Sequence, residues 1–260
     1  VPIDLGSTCV TSITAGAYGP LRAHLGLPVD DAPIWDFPQQ LPYLEEDLLV
    51  RKAIVEIVTQ IGRVAVPTIL ENLSDSRWYM VRNMITVLGS LGMPDLAPHV
   101  AATLSHPDLR VKKEAIKALS RIPHLSAVTA LCELCFFPEE TVALTATAAL
   151  ASKKEAEAVV ALYRRAAAKL ILYPNYRLAH EAIDSLRAIG TDEALTALEE
   201  ILSLRALWRT EKFRAMKFHA LRSISKIRGE RSLEVLERAR RSSDRSLRIE
   251  AERILGRRTP

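Results

Sequence analysis

Apolar and small residues recur along most of this chain in a register that predicts one face of an α-helix. From Met80 they occupy the first position and the positions 4, 7, 8 and 11 residues later, which lie on one side of a helix with 3.6 residues per turn. The same register begins at six further anchor residues, Val50, Val111, Val142, Leu178, Met216 and Leu247. Successive anchors are 30 to 38 residues apart, which leaves room for two helices and two turns. This period predicts an all-α solenoid of stacked helix pairs.

Each anchor lies near the start of the second helix of a pair, and the first helix is predicted between consecutive anchors. The expected ranges of the first helices are 64–73, 95–104, 125–136, 155–172, 192–207 and 232–241. Pro67 and Pro98 fall near the starts of two of them, where a missing backbone N–H has little effect. The last second helix, at 247–256, is expected to be a cap or a truncation of the repeats.

The composition agrees with stacked helices and with a protein of the cytoplasm. Apolar residues make up 48% of the chain and aromatic residues only 5%, so the core must consist mainly of Leu, Ala, Ile and Val. No long apolar run is present, and the start Val-Pro-Ile-Asp lacks the basic flank of a signal peptide. The three cysteines are too few for a disulfide framework. We therefore expect a cytoplasmic protein without a membrane span.

Residues 1–46 do not follow the repeat pattern. They contain 6 of the 14 prolines and 4 of the 10 glycines. The pattern predicts a strand at 1–5, a helix near 17–25 and an extended segment interrupted by prolines. A single strand leaves its edges unsatisfied, so we expect a short αβ segment that is part of a larger, incomplete unit. The predicted domains are therefore residues 1–46 and residues 47–260.

Three stretches of this N-terminal segment carry a resemblance to a family of barrel enzymes. The stretches Val-Pro-Ile-Asp-Leu-Gly-Ser-Thr at 1–8, Ala-Tyr-Gly-Pro-Leu-Arg-Ala-His-Leu-Gly-Leu-Pro at 17–28 and Trp-Asp-Phe-Pro-Gln-Gln-Leu at 35–41 resemble the opening of uroporphyrinogen decarboxylases, especially their corrinoid methyltransferase branch. The resemblance implies a part of, or a partner to, a tetrapyrrole or corrinoid enzyme. In that family the later barrel strands supply most of the active site. The resemblance therefore transfers no catalytic residue, and Cys9 is interpreted as an ordinary small residue.

From Asp47 onward the chain resembles HEAT repeats of the short bacterial kind related to those in phycobilisome lyase subunits. The family's Asp, three residues before a Val-Arg-type pair, is seen in Asp47-Leu-Leu-Val-Arg, Asp108-Leu-Arg-Val-Lys and Asp244-Arg-Ser-Leu-Arg. Such an Asp can cap the second helix by accepting backbone N–H bonds. The basic residue one position after the anchor is then expected to bond a turn, at Arg51, Lys112, Lys217 and Arg248. The resemblance implies a right-handed superhelix over residues 47–260.

The residue pattern of the second helices predicts which surface binds a ligand. In such arrays these helices line the concave face, and positions 2, 6 and 9 after each anchor point away from the buried stripe. The candidate binding residues on this face are Lys52, Arg82, Lys113, Lys117, Leu144, Ala148, His180, Phe218, Arg222 and Arg253. The stretch 141–152 carries no charge, and an exposed apolar patch rimmed by charge is typical of a protein-binding surface. The alternative is that residues 1–46 or a neighbouring helix cover this stretch.

Charge is segregated along the chain. Residues 1–200 contain 18 Lys and Arg against 24 Asp and Glu, whereas residues 201–260 contain 17 against 7. A basic C-terminal part attracts acidic partners such as nucleic acid, in the manner of the HEAT-like alkylpurine DNA glycosylases. Those enzymes need an acid and aromatic side chains on the concave face, a set that Asp184, Trp78 and Trp208 resemble only loosely. The alternative is that the basic side chains solvate the last repeats.

Residues with catalytic or metal-binding chemistry do not form a recognisable motif. Cys132 and Cys135 are spaced as a C-x-x-C, but they lie in an apolar helical run and are expected to be packing thiols. The six histidines are scattered, and no phosphate loop, dinucleotide fingerprint or nucleophile elbow occurs. We expect no cofactor and no metal. An active site whose residues converge from distant repeats stays open.

The favoured function is a non-enzymatic scaffold or adaptor that binds a protein partner on its concave face. The first alternative is a nucleic-acid-binding protein of the DNA glycosylase type, in which the basic C-terminal repeats bind nucleic acid weakly. The second alternative is a component of a tetrapyrrole or corrinoid enzyme.

Overall fold

All the regular structure in residues 55–168, 175–204 and 211–256, the parts of the chain that the computed structural model describes, is helical. No strand occurs in these ranges, which confirms the all-α prediction for them. The predicted αβ segment at 1–46, its boundary with the repeats and the anchor Val50 lie outside the described residues. No described helix is long and apolar enough to cross a membrane. The hand of the superhelix and the cytoplasmic location stay predictions.

The chain divides into two compact units, and the first, Val1–His124, contains two pairs of described helices. Residues 55–61, which precede these pairs, are helical. The first helices are short: α1 at Val66–Glu71 lies between 3-10 turns at Gly62–Ala65 and Asn72–Ser74, and α3 at Ala97–Ala102 lies between 3-10 turns at Pro94–Leu96 and Thr103–Ser105. The second helices are longer and pack against each other, α2 at Trp78–Leu91 and α4 at Leu109–Arg121.

The second unit, Leu125–Pro260, contains four pairs of described helices in two layers. The first helices are α5 at Leu125–Leu134, α7 at Ala156–Ala167, α9 at Asp192–Ser203 and α11 at Glu230–Arg240. The second helices are α6 at Glu140–Ala149, α8 at Tyr176–Ile189, α10 at Glu211–Lys226 and α12 at Arg245–Gly256. Each helix packs against the next member of its own layer and against its partner in the pair. Stacked pairs of this kind confirm the α-solenoid within the unit.

The buried stripe has the predicted register. The six anchors in the described residues are at most 4% exposed, and the residues four positions later are at most 2% exposed. Position 8 holds Leu88, Leu119, Leu150, Leu186 and Ile224, and all five are fully buried. In the last repeat position 8 is Leu255, which is half-buried because no described helix follows α12 to cover it.

The expectation that position 9 points away from the buried stripe is wrong for α2 in the first unit. Gly89 occupies this position on α2 and is buried. A Cβ added to Gly89 would lie 2.7 Å from both the Cα and the Cβ of Ala118 on α4. These distances are shorter than any stable contact, so the close approach of the two helices requires glycine here.

The close approach of α2 and α4 predicts that Gly89→Ala destabilises the protein. Replacing a helical glycine with alanine usually stabilises a helix by up to about 1 kcal/mol. Here the added methyl group must displace the backbone of α4, and we expect a net loss of about 1–3 kcal/mol in the free energy of unfolding. The matched control is Gly256→Ala, where an added Cβ meets no atom within 4 Å. Urea denaturation of both variants checks this, and a gain in stability for Gly89→Ala would contradict the packing.

Candidate functional site

The candidate binding residues of the second unit lie along its layer of second helices. We call Leu144, Ala148, His180, Phe218, Arg222 and Arg253 the second-helix ridge. Three of these side chains, those of Leu144, His180 and Phe218, are half-buried, and the other three are exposed. The remaining candidates are Arg82, Lys113 and Lys117 in the first unit, while Lys52 lies outside the described residues.

A stacked pair of imidazole rings joins α8 to α10 on the ridge. The rings of His180 and His219 are nearly parallel, with centroids 4.7 Å apart and 20° between their planes. His219 Nε2 lies 3.0 Å from Asp184 Oδ2, and Arg187 Nε lies 3.5 Å from the other carboxylate oxygen. Burial lowers the pKa of His180, as does the neighbouring His219, against the opposing effect of Asp184. The cluster therefore favours a neutral His180.

The histidines are scattered in the sequence, and their spacing does not predict this pair. His180 is at position 2 of one repeat and His219 is at position 3 of the next, so the two rings meet only when the second helices are adjacent. A comparison of position 2 with position 3 of the following repeat would have placed them together. The described residues contain no group of three or more His, Cys, Asp or Glu side chains that could hold a metal ion.

A buried carboxylate joins α10 to α12 and holds both arginines of the ridge. Glu250 is 7% exposed. Arg222 Nε donates to its Oε1 at 2.7 Å, and Arg253 donates from Nε to Oε2 at 2.9 Å and from Nη2 to Oε1 at 2.7 Å. Burial raises the pKa of Glu250, but the bonds from Arg253 and Arg222 outweigh it and hold the pKa below its usual value. Both arginines thus already share a carboxylate of the protein, although their side chains remain exposed.

Helix α6 has no charged residue after Glu140, and a hydroxyl group of α8 bonds its backbone. Thr147 is fully buried, and Ser185 Oγ donates to its backbone carbonyl at 3.0 Å. Leu144 is half-buried and Ala148 is exposed, whereas the stripe residues of the helix lie in the core. The apolar surface that α6 offers to a partner is therefore smaller than the sequence predicts.

At the start of each second helix of the first unit, an Asp side chain bonds both the backbone and the side chain of an Arg two residues later. We call this arrangement an Asp-x-Arg clip. Asp75 Oδ1 accepts bonds from the backbone N–H of Arg77 at 2.8 Å and from its Nε at 3.0 Å, and Oδ2 accepts from Nη2 at 2.9 Å. Asp108 and Arg110 repeat these three bonds at 2.8, 3.0 and 2.7 Å. The predicted capping role of Asp108 is confirmed. The bond from the Arg110 side chain is the main reason why the pKa of Asp108 is lowered to about 2.

The second clip connects the two repeats of the first unit. The guanidinium carbon of Arg110 lies 3.3 Å from the centroid of the Trp78 ring on α2, a close cation–π contact. Arg82 lies 5.2 Å from the same centroid and also bonds the side chain of Asn83 at 3.2 Å. Lys113 and Lys117 are exposed and form no ion pair with any described residue. Of the described candidate cations in this unit, the two lysines are therefore the ones open to a ligand.

The basic residues one position after the anchor partly follow the predicted turn-bonding role. Arg248 Nη1 donates to the backbone carbonyl of Ser242 in the turn before α12 at 3.2 Å, as expected. Lys217 is 8% exposed, and its ammonium group lies 5.2 Å from the Phe213 ring centroid. The hydrogen bond from the Ser246 side chain is the main reason why the pKa of Asp244 in the next repeat is lowered, and the charge of Lys217 makes a smaller contribution. Arg51 lies outside the described residues.

A groove that the sequence analysis does not predict opens at one edge of the second unit. It has a volume of about 1100 Å³ and lies between the C-terminal ends of α9 and α11 and the N-terminal ends of α10 and α12. The described lining includes four basic side chains, those of Arg214, Lys217, Arg238 and Arg245, and two carboxylates, Glu199 and Asp244. Because residues from four helix ends form the groove, no local sequence motif predicts it.

The two described cysteines are shielded thiols, and the described residues compared with DNA glycosylases are engaged in other contacts. Burial raises the pKa of Cys132 to about 11 and that of Cys135 to about 12, which agrees with the interpretation as packing thiols. The Trp78 ring has Arg110 over its face, and Asp184 bonds His219. Trp208 lies outside the described residues. Neither described member of the glycosylase-like set is therefore arranged to stack on or attack a base.

Comparison with protein families supports the repeat assignment. A family model of HEAT repeats matches residues 66–151, and a model of the PBS lyase HEAT-like repeat matches residues 178–203. Together these matches cover less than half of the chain. The resemblance of residues 1–46 to uroporphyrinogen decarboxylases finds no support in the comparisons.

Comparison with solved structures shows the same type of fold at low sequence identity. Yeast importin-β matches with a TM-score of 0.52 and 13% identity, over 96% of this chain and 39% of that chain. The complex of CpcE and CpcF of phycocyanin lyase from Nostoc sp. matches with a TM-score of 0.39 and 18% identity, over 91% and 89%. Computationally designed armadillo repeat proteins for modular peptide recognition match with a TM-score of 0.40 and 15% identity, over 73% and 98%. No curated protein sequence matches the chain.

The Asp108 clip predicts a stability contribution that depends on pH. The folded-state pKa of about 2 lies below the ordinary value of 3.8, so the charged carboxylate stabilises the fold above about pH 4 and loses this effect as the pH falls toward 2. Because Arg110 is largely exposed, we expect Asp108→Asn to lower the free energy of unfolding by less than about 1 kcal/mol at neutral pH.

Urea denaturation at pH 6 and pH 3 checks this, and the difference between wild type and Asp108→Asn should be smaller at the lower pH. Asp108→Ala is the comparison variant, because it also removes the helix cap and should lose about 1 kcal/mol more than the asparagine variant at both pH values. An Asp108→Asn difference that is the same at both pH values would contradict the clip.

Proposed function

We propose that this protein is a non-enzymatic scaffold or adaptor that binds a segment of a protein partner on the second-helix ridge. The observation that carries the proposal is a pair of apolar side chains at position 2 of α6 and α10. Leu144 and Phe218 are both half-buried, so part of each side chain is accessible to a partner. Partly exposed aliphatic and aromatic side chains of this kind are suited to anchor an interface. The HEAT-type fold, which the chain has in common with importin-β, agrees with this function.

The polar groups beside these anchors also suit a protein partner. Asp184 bonds His219, and Arg222 bonds Glu250, so these side chains already have partners within the protein. A partner that covers them would therefore not bury an unpaired charge. Burying an unpaired charge is the largest energetic cost of covering polar groups. The ridge therefore combines apolar anchors with polar groups whose hydrogen bonds do not depend on the partner.

The two alternative functions have less support. Nucleic-acid binding along the ridge would require free cations, but Arg222 and Arg253 share the Glu250 carboxylate. Lys113 and Lys117 alone offer few contacts to a phosphate backbone. A role in a tetrapyrrole or corrinoid enzyme would depend on residues 1–46, which lie outside the described residues.

The proposal predicts that changing two ridge anchors removes binding of a partner. The test variant is Leu144→Asp with Phe218→Asp, because a carboxylate at either site would have to be desolvated under the partner. The matched control is Val160→Asp with Leu233→Asp, two side chains on the first helices that are 48% and 43% exposed. Affinity capture from cell extract, with quantification of each bound protein, compares both variants with wild type.

We expect one or more specific partners to be retained by wild type and by the control, and to be reduced by at least about tenfold with the ridge variant. Thermal unfolding checks that both variants fold. If the ridge variant unfolds, Leu144→Ser with Phe218→Ser replaces it, since serine introduces no charge at these half-buried sites. Equal capture by the ridge variant and by wild type would contradict the proposal.

A further inference from the structure

The groove at the edge of the second unit is a separate surface from the ridge, and its charges are unevenly paired. Arg238 Nη2 lies 2.8 Å from Glu199 Oε2. Asp244 Oδ1 accepts bonds from the backbone N–H of Ser246 at 2.9 Å and from its hydroxyl at 2.6 Å. Both carboxylates of the described lining are therefore engaged with groups of the protein itself.

Two cations of the described lining form no ion pair with another described residue. Arg214, in the first turn of α10, and Arg245, at the start of α12, are exposed and form no ion pair with any described residue. Lys217 lies on the same wall and is 8% exposed, so its positive charge is screened less than a surface charge would be. The groove therefore presents an excess of positive charge toward its opening, and this charge is complementary to an acidic ligand.

The remaining lining shows what else the ligand must contain. Ile249 is 55% exposed at this site, so an apolar group on the ligand can pack against it. The hydroxyl groups of Ser203, Ser242 and Ser243 also line the groove, and hydroxyls can bond the N–H and C=O groups of a peptide backbone. The volume of about 1100 Å³ slightly exceeds the range of about 300–1000 Å³ that is common for small-molecule pockets. A few residues of extended chain fit such a space.

A long polyanion fits the same features less well. Two unpaired arginines match one or two negative charges, whereas a nucleic acid carries a phosphate at every nucleotide and would pass close to Glu199 and Asp244. Like charges placed opposite each other weaken binding. The apolar contact at Ile249 would also have no role in binding a phosphate backbone.

We propose that this groove binds an extended acidic peptide segment, in which one or two carboxylates pair with Arg214 and Arg245 and a neighbouring apolar side chain packs against Ile249. The inference rests on the proposed function in that the partner is a protein. It places the contact on a different surface, however, so that either site can fail without the other. Charge-assisted bonds from arginine to carboxylate supply orientation, and the apolar contact supplies the sequence requirement beyond charge.

The test begins with a selection of random displayed peptides on the full chain, without prior choice of sequence. The enriched peptides are then synthesised with a fluorescent label, and their affinity is measured by fluorescence anisotropy. We expect the enriched sequences to contain Asp or Glu next to Leu, Ile or Phe. Replacing their acidic residues with the matching amides should weaken binding at least about tenfold, and so should replacing the apolar residue with serine.

Charge-reversal variants locate the binding surface. Arg214→Glu with Arg245→Glu should weaken binding of the selected peptide at least about tenfold. The matched control is Arg228→Glu with Arg231→Glu, which changes the net charge equally at the opposite ends of α10 and α11 and should leave the affinity within about twofold. Both control arginines are exposed and form no ion pair with any described residue. The neutral pair Arg214→Ala with Arg245→Ala serves if the charge reversal unfolds the protein.

The other outcomes separate this inference from the proposed function. Enriched peptides without acidic residues, or equal binding to the groove variant and wild type, would overturn the groove site. Binding that is lost with Leu144→Asp and Phe218→Asp but kept by the groove variant would support the ridge and overturn the groove. A single-stranded oligonucleotide that needs Arg214 and Arg245 and displaces the peptide would assign the groove to nucleic acid instead. A selection that enriches no peptide would count against both sites.

Discussion

The structure depends on one steric constraint, the close approach of adjacent second helices over a narrow stripe of small side chains. Alanine occupies position 4 in five of the six described repeats, at residues 115, 146, 182, 220 and 251. In the first unit the constraint is strictest, since Gly89 leaves no room for a Cβ beside Ala118. Side chains of helices this close can form hydrogen bonds from one repeat to the next. His219 thus meets Asp184, Arg222 meets Glu250, and Ser185 meets the backbone of Thr147.

These contacts determine which surfaces remain for a partner. Several charged side chains that look free in the sequence bond the neighbouring repeat, and the ridge is left with apolar side chains at position 2. Unpaired positive charge is found at the edge of the second unit instead, where Arg214 and Arg245 line the groove. A protein ligand fits both surfaces, because one offers apolar anchors with satisfied polar neighbours and the other offers cations with an apolar contact.

The repeat register could be predicted from sequence because the buried stripe is a local, periodic property of each helix. The same holds for the first helices and for the Asp108 cap, which depend on residues a few positions apart. The stacked pair of His180 and His219 and the pairing of Arg222 with Glu250 could not be found in this way, because their members come from different repeats and meet only after packing. The groove, formed by four helix ends, is the extreme case. The pairing of Arg253 with Glu250 could have been predicted, because the two residues lie three positions apart on one helix.

The central claim is that one register describes all the repeats, so that equivalent positions in different repeats are equally buried. Leu119 and Leu186 both occupy position 8, one in each unit, and both are fully buried. The most direct measurement is the free energy of unfolding of Leu119→Ala and of Leu186→Ala by chemical denaturation. The account predicts a loss of about 2–5 kcal/mol for each variant, because the truncated side chain leaves a cavity in the stripe. Losses below about 1 kcal/mol at both positions would contradict the register, since a surface substitution has an effect of that size.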